Sequence, residues 1–243
     1  MTRMKTLILS LSAVALVALA VPRPAQALTA LGLREDGGAI IVVASGPSLT
    51  ALSFTGASPL GNFQVTNFGT NEVNGALISN ISGSATTVTL TTGGTHTLEL
   101  FTSSQDFSLP VGALVNVTSG AGGTYITGIG AVTFQAFASA SNALASIIGF
   151  SNGLQVANPP SGSAQTFDTG DITAVWNKGA AALFSLTTGT SVTLTGTNAS
   201  ANFSNHEILT PIPTTVIPEP ASMLLLGSGL LGLAFAGRRF GRK

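Results

Sequence analysis

The chain contains no cysteine. Disulfide frameworks, zinc–thiolate centres, iron–sulfur clusters and cysteine nucleophiles are therefore excluded. Charge is also scarce: charged residues make up 7% of the 243 residues, against roughly 25% in ordinary soluble domains. Between Leu28 and Ile217 the cations are Arg34 and Lys178 alone, facing eight acids, a net charge of −6. A segment with almost no cations cannot neutralise phosphates, so nucleic acid is not a partner. Large polar-tipped aromatics are equally few, with one Trp and one Tyr. Sugar-binding faces usually use such rings, which weakens a lectin reading. Histidine occurs twice, as His96 and His206, in neither a metal-ligand spacing nor a triad motif. Gly-x-Ser-x-Gly, Gly-x-Gly-x-x-Gly and P-loop patterns are absent, so nothing predicts a cofactor, a metal or a catalytic residue.

What is present segregates into ends and middle. Arg3 and Lys5 precede an apolar run, Leu7 to Val21, of about 15 residues, short of the ~20 needed to span a bilayer. Pro22 and Pro24 end the run, and Ala25-Gln26-Ala27 supplies small residues at a cleavage site. This is the pattern of a removable signal peptide over residues 1–27, with Ala25 and Ala27 flanking the scissile region and signal peptidase as partner.

The C-terminus has three parts in order: Pro218-Glu219-Pro220, an uncharged apolar run over 221–237, and the cluster Arg238, Arg239, Arg242 and Lys243. Pro220 suits a first helical turn, and Glu219 lies where negative charge is favoured. As a helix, 221–237 would rise about 25 Å, just short of a ~30 Å hydrocarbon core, and the arginines can snorkel to close the gap. Positive charge stays on the cytoplasmic side, so the large domain lies outside.

This tail resembles the PEP-CTERM sorting signal of exported proteins of Gram-negative bacteria that make extracellular polysaccharide. The resemblance covers residues 218–243, about 26 residues, and does not reach the domain upstream. It implies recognition and removal by a membrane-embedded exosortase.

The middle, 28–209, is rich in β-branched residues and punctuated by glycine. Thr87–Thr91, Thr95–Leu100, Ala131–Phe137 and Ser191–Thr195 alternate with period two, the mark of half-buried antiparallel strands. Further strands are expected at Ala39–Ala44, Leu49–Thr55, Asn62–Asn67, Leu77–Ile81, Val111–Thr118, Asp171–Trp176 and Ala181–Thr187. Turns are expected at Gly93-Gly94, Ser119–Gly123, Asn158–Gly162 and Thr188-Gly189-Thr190. Ala138–Ile148 is the one helix candidate. The rhythm predicts a mainly β, antiparallel sandwich or jelly-roll-like domain between a signal helix and a transmembrane helix. Thr210 to Ile217 reads as a Pro-rich spacer. Phe54, Phe63, Phe68, Phe134, Phe137 and Phe184 are expected in the core. Thr91–Leu98 and Thr187–Leu194 echo each other as hairpin-like patterns.

Asp168-Thr169-Gly170 matches the aspartic-protease triplet, but that chemistry needs two carboxylates sharing a proton. One copy is present, and a turn is expected there. The sequence thus predicts an exported, non-catalytic surface or matrix protein associated with exopolysaccharide. The alternative is an exported hydrolase acting on polysaccharide or protein with Asp168, Asp171, Glu99 or Glu207; for a glycosidase two carboxyls a set distance apart are needed.

Mass spectrometry of the exported protein is expected to find Leu28 as the first residue. Deleting Ala221–Lys243 is expected to release the protein in soluble form. Neutralising Arg238, Arg239, Arg242 and Lys243 is expected to impair retention, as cell fractionation will report. A truncated protein that stays membrane-bound contradicts the anchor.

Overall fold

The computed structural model of the protein describes residues 28–47, 50–75, 77–157, 165–212 and 224–231. Two units are separate: Met1–Pro211 and Ile212–Lys243. In the second, residues 224–231 form a short helix. Among the described residues no helix is long and apolar enough to cross a membrane. The predicted signal helix, the flanks of the 221–237 run, and Ala25, Ala27, Pro218, Glu219, Pro220, Arg238, Arg239, Arg242 and Lys243 lie outside the described residues.

The first unit is an antiparallel β-sandwich. Its strands are β1 (Leu28–Glu35), β2 (Ile41–Pro47), β3 (Leu52–Ala57), β4 (Phe63–Asn74), β5 (Ser79–Leu90), β6 (Thr95–Phe107) and β7 (Leu114–Thr127). There follow β8 (Ile129–Ser139), β9 (Phe150–Ser151), β10 (Gln155–Ala157), β11 (Gln165–Asp168), β12 (Ile172–Asn177), β13 (Phe184–Thr195) and β14 (Ser200–Pro211). One sheet, here the front sheet, has the order β10-β8-β13-β6-β1-β2, with β9 also on β8. The back sheet has the order β11-β7-β14-β5-β4-β3, with β12 also on β7. Consecutive strands β5 and β6, β7 and β8, and β13 and β14 sit in opposite sheets. From β5 onward this is the jelly-roll order, two interlocked Greek keys. The hairpins β1–β2 and β3–β4 widen both sheets.

Alternation places the core. On β13, Val192 and Leu194 are fully buried while Ser191 and Thr193 face outward. One apolar cluster gathers Leu33, Phe63, Leu98, Val132, Leu194 and Phe203, among others. A second gathers Ile81, Phe107, Val115, Trp176, Phe184 and Leu209. Removing one such ring costs about 3–5 kcal/mol.

The structure departs from the sequence expectations at definite places. Leu77–Ile81 and Thr87–Thr91 both overlap one strand, β5 (Ser79–Leu90), and Ala181–Thr187 and Ser191–Thr195 both run into β13. Thr188-Gly189-Thr190 is therefore the middle of a strand and not a turn. Ser119–Gly123 likewise belongs to β7. The glycines there serve close approach: a Cβ on Gly123 would lie 2.1 Å from the Asn202 carbonyl oxygen and 2.6 Å from the Phe167 ring. The echo between 91–98 and 187–194 has no structural counterpart, because the first spans a turn and the second a continuous strand. Gly93-Gly94 does lie in the β5–β6 connection. Ala138–Ile148 is not a helix; β8 ends at Ser139, and Asn142 and Ala145 take positive φ of 55° and 54°, which a right-handed helix cannot contain. β1 carries no expected strand and is nonetheless paired on both sides. β14 runs on to Pro211, into the segment read as spacer. Asn158–Gly162 lies outside the described residues.

Gly123→Ala is expected to destabilise the domain by about 2 kcal/mol through overpacking against β14 and β11, read as a lowered urea midpoint with an unchanged slope.

Candidate functional site

The outer face of the front sheet holds a groove of about 330 Å³. Its floor is built from register. Arg34 of β1, Glu99 of β6, Ser191 of β13 and Thr133 of β8 form one row of paired residues. The next row is Gly32, Phe101, Gly189 and Gln135. A third row ends on Phe137 of β8, beside Thr187. The depression centres on Gly189, which presents no side chain. The Phe101 ring leans across that position, 3.2 Å from where a Cβ would stand. A larger residue at 189 would therefore push the ring away and fill the groove.

Polar and apolar groups divide the groove. Arg34 and Glu99 form a two-pronged pair: Nη2 donates to Oε1 at 2.6 Å, and Nε donates to Oε2. The guanidinium also lies over the Phe101 ring, 5.4 Å from its centre. The hydrogen bonds to Glu99 raise the Arg34 pKa further, so the guanidinium stays charged. This fork geometry fixes both side chains. The opposite wall is Phe137 with Ile147 and Leu154 from the segment after β8. That segment is tied down: Ala145 N donates to Ser103 Oγ at 2.7 Å, and Gln105 Nε2 donates to the Asn142 carbonyl at 2.7 Å. Gln135 Nε2 donates to Ser151 Oγ at 2.9 Å, which holds its amide in place.

The other sequence candidates lie apart. Asp168 sits at the β11–β12 turn, where Oδ1 accepts from Gly170 N at 2.8 Å, the self-bonded turn expected of this triplet. Asp171 pairs with His206 Nε2 at 3.2 Å on the back sheet and is largely exposed. Glu207 faces the interior and is fully buried. Burial pushes its carboxyl well above the usual range, against a smaller opposing pull from the Thr187 backbone. Among the described residues no three His, Asp or Glu side chains gather as a metal site.

Aromatic roles also differ from expectation. Phe63, Phe68, Phe134 and Phe184 are buried, and Phe54 packs partly buried against the core. Phe137 is half-buried and lines the groove instead. It lies on the outer face because β8 buries Val132, Phe134 and Ala136. Tyr125 is buried, with its hydroxyl donating to the Ala157 carbonyl at 3.1 Å and its pKa pushed up by burial to about 12. Trp176 packs on Phe150 and Phe184.

The comparisons with known proteins bear on the tail. Residues 216–239 match the model of the PEP-CTERM protein-sorting motif. The match spans Pro218-Glu219-Pro220, the apolar run, Arg238 and Arg239; Arg242 and Lys243 lie beyond it. The chain thus carries a PEP-CTERM sorting signal, which marks it as an exported protein processed by exosortase. No curated protein matches the chain. Distant likenesses occur among solved structures. TmCBM27, described as a carbohydrate-binding module of specific mannan recognition, is 11% identical over 67% of this chain and 96% of its own, with a TM-score of 0.27. TmCBM61, in complex with β-1,4-galactotriose, is 10% identical over 65% of this chain and 92% of its own, with a TM-score of 0.25. The enzymatically active domain of bacteriophage CBA120 tailspike protein 4 is 9% identical over 63% of this chain, with a TM-score of 0.25, and the match spans only 20% of that protein. Likeness at this level assigns no activity to the present chain.

One ion pair makes a pH prediction. His96 Nδ1 lies 2.8 Å from Asp36 Oδ2 at the groove-distal end of β6. The hydrogen bond to Asp36 raises the His96 pKa above 6.5. Burial pulls the Asp36 carboxyl up, but the bonds from His96 and the Thr97 amide outweigh it and leave it below 3.8. The histidine's contribution to stability is therefore complete below its unfolded pKa and lost as pH rises through the folded one. The aspartate's contribution is present above its unfolded pKa and lost as pH falls through the folded one. An NMR titration is expected to place His96 above 6.5, with Asp36→Asn lowering it.

Proposed function

We propose that the protein is an exported, non-catalytic component of the cell surface or extracellular matrix, and that its sandwich holds saccharide chains in the groove of the front sheet. The groove carries this reading. A pyranose ring offers an apolar C–H face and a rim of hydroxyls. Here Phe137, Ile147 and Leu154 supply an apolar wall, while Arg34, Glu99 and Gln135 supply polar groups already fixed by their own bonds. Concave, mostly preformed sites with a few placed polar groups are the usual form of ligand pockets. Groups held in place before binding lose little freedom on contact.

The distribution of acids favours binding without turnover. Hydrolysis of a glycosidic bond uses two carboxyls flanking it. Glu99 is the acid that lines this groove, and Arg34 holds it. Asp168 and Asp171 belong to the back-sheet side, and Glu207 is enclosed. The tail completes the reading. After signal peptidase acts at Ala27, residues 221–237 anchor a precursor, exosortase acts on the 218–243 signal, and the 28–209 domain reaches the surface or the matrix.

Affinity electrophoresis of the full chain through gels containing extracellular polysaccharides tests this. Retardation by at least one polysaccharide is expected. Phe137→Ala and Gln135→Ala are each expected to weaken it about tenfold, with melting temperature little changed. Retardation by none, or release of reducing ends that Glu99→Gln abolishes, overturns the proposal, the latter in favour of the hydrolase.

A further inference from the structure

The sandwich interior is divided. Between the two larger apolar clusters, and beside a third small one of Ala121, Phe134 and Ala136, both sheets point hydroxyl, amide and carboxyl groups inward. Two bonds across the gap show how the sheets face each other. Ser104 Oγ of β6 donates to Glu72 Oε2 of β4 at 2.8 Å. Asn205 Nδ2 of β14 donates to Thr190 Oγ1 of β13 at 2.8 Å. Side chains two residues apart on a strand share a face. Moving two residues along these strands brings Thr102 opposite Thr70, and Thr188 opposite Glu207. Thr102 and Thr188 are also direct partners across β6 and β13.

These four side chains are 2% exposed or less. Thr70 Oγ1, Thr102 Oγ1 and Thr188 Oγ1 have no hydrogen-bond partner, and the Glu207 carboxyl has none beyond the weak pull of the Thr187 backbone. Buried polar groups left without partners are rare, and each calls for an explanation, a bound water or ion among them. Nor does a basic side chain reach them among the described residues. Arg34 and His206 are engaged on outer faces with Glu99 and Asp171. His96 pairs with Asp36, and Lys178 donates to the Ala181 carbonyl in the β12–β13 connection. The neighbouring acid, Glu72, already accepts from Thr29 at 2.5 Å and from Ser104.

We propose that this seam binds a dehydrated hard metal cation, sodium or calcium, held by Glu207 with the hydroxyl oxygens of Thr70, Thr102 and Thr188. The donor set is oxygen only, which suits such ions and not zinc or copper. An ionised carboxylate buried alone is strongly disfavoured, and a bound cation supplies the missing charge. The hydroxyls then turn their lone pairs to the ion and replace its water. An exported domain folds where such ions are plentiful, and weak extracellular calcium sites work at 10⁻⁴–10⁻³ M, in order of magnitude. Because the seam joins both sheets, ion binding selects the closed sandwich over the unfolded chain.

The test is thermal unfolding of the full chain in detergent, in sodium chloride, calcium chloride or choline chloride at equal ionic strength. Choline, a bulky organic cation, cannot be coordinated by oxygen donors as a metal ion is. Sodium or calcium, whichever the seam takes, is expected to raise Tm by about 5 °C over choline. Glu207→Gln is expected to remove that rise while melting in choline at or above the wild-type value. Equal Tm in all three salts, or a rise that survives in Glu207→Gln, overturns the proposal. If Glu207→Gln does not fold, Thr188→Val and Thr102→Val decide, since each keeps the volume and deletes one oxygen donor. An undiminished rise in both would overturn it equally.

Discussion

The placement of β13 between β6 and β8 governs both faces of the front sheet. In this register Gly189 lies between Phe101 and Gln135 on the outside, and Thr188 lies beside Thr102 on the inside. A slip of one residue would exchange these faces. Val192 and Leu194 would turn to solvent, and the groove would lose its open centre. The apolar alternation at the Leu194 end therefore enforces the polar geometry at the Thr188 end. One ladder sets the outer groove and the interior seam together.

This explains why the architecture was legible from the sequence and the groove was not. Alternation at Thr95–Leu100 and Ala131–Phe137 reports which side chains turn inward, and it suffices for an antiparallel sandwich. It does not report which strands are neighbours. Arg34, Glu99, Gln135 and Gly189 come from four strands and meet only through pairing. Glycine misled for the same reason. Gly120, Gly122, Gly123 and Gly189 resemble turn residues, yet each lies within a strand, and for Gly123 and Gly189 the cause is a neighbour's ring or carbonyl. Glu99 was visible as an outward residue opposite Leu98 and Leu100, but its lock to Arg34 was not. Phe137 could have been assigned outward from the alternation with Phe134 and Ala136 alone. The sorting tail was legible because its signal is local and linear.

The groove and the tail divide the work of the chain between structure and address. The tail is read by processing machinery as a linear pattern, whereas the groove exists only after folding. The groove's ion pair cancels its own charge, so within a domain of net acidity the groove itself carries little field at long range. On the proposed saccharide-binding reading, recognition rests on contact rather than on field.

The scarcity of basic residues has a consequence beyond folding. Proteases that cut after Lys or Arg find two such bonds between Leu28 and Ile217. Arg34 lies in a strand hydrogen-bonded on both sides, and Lys178 is 7% exposed. The folded domain thus withholds both from trypsin-like enzymes, which need several residues of extended, accessible chain. For a protein placed outside the cell, this is durability against digestion without a single disulfide. It also means that tryptic mass spectrometry of the unfolded protein will yield one very long peptide, Glu35 to Lys178, and will under-count it in any survey of exported proteins.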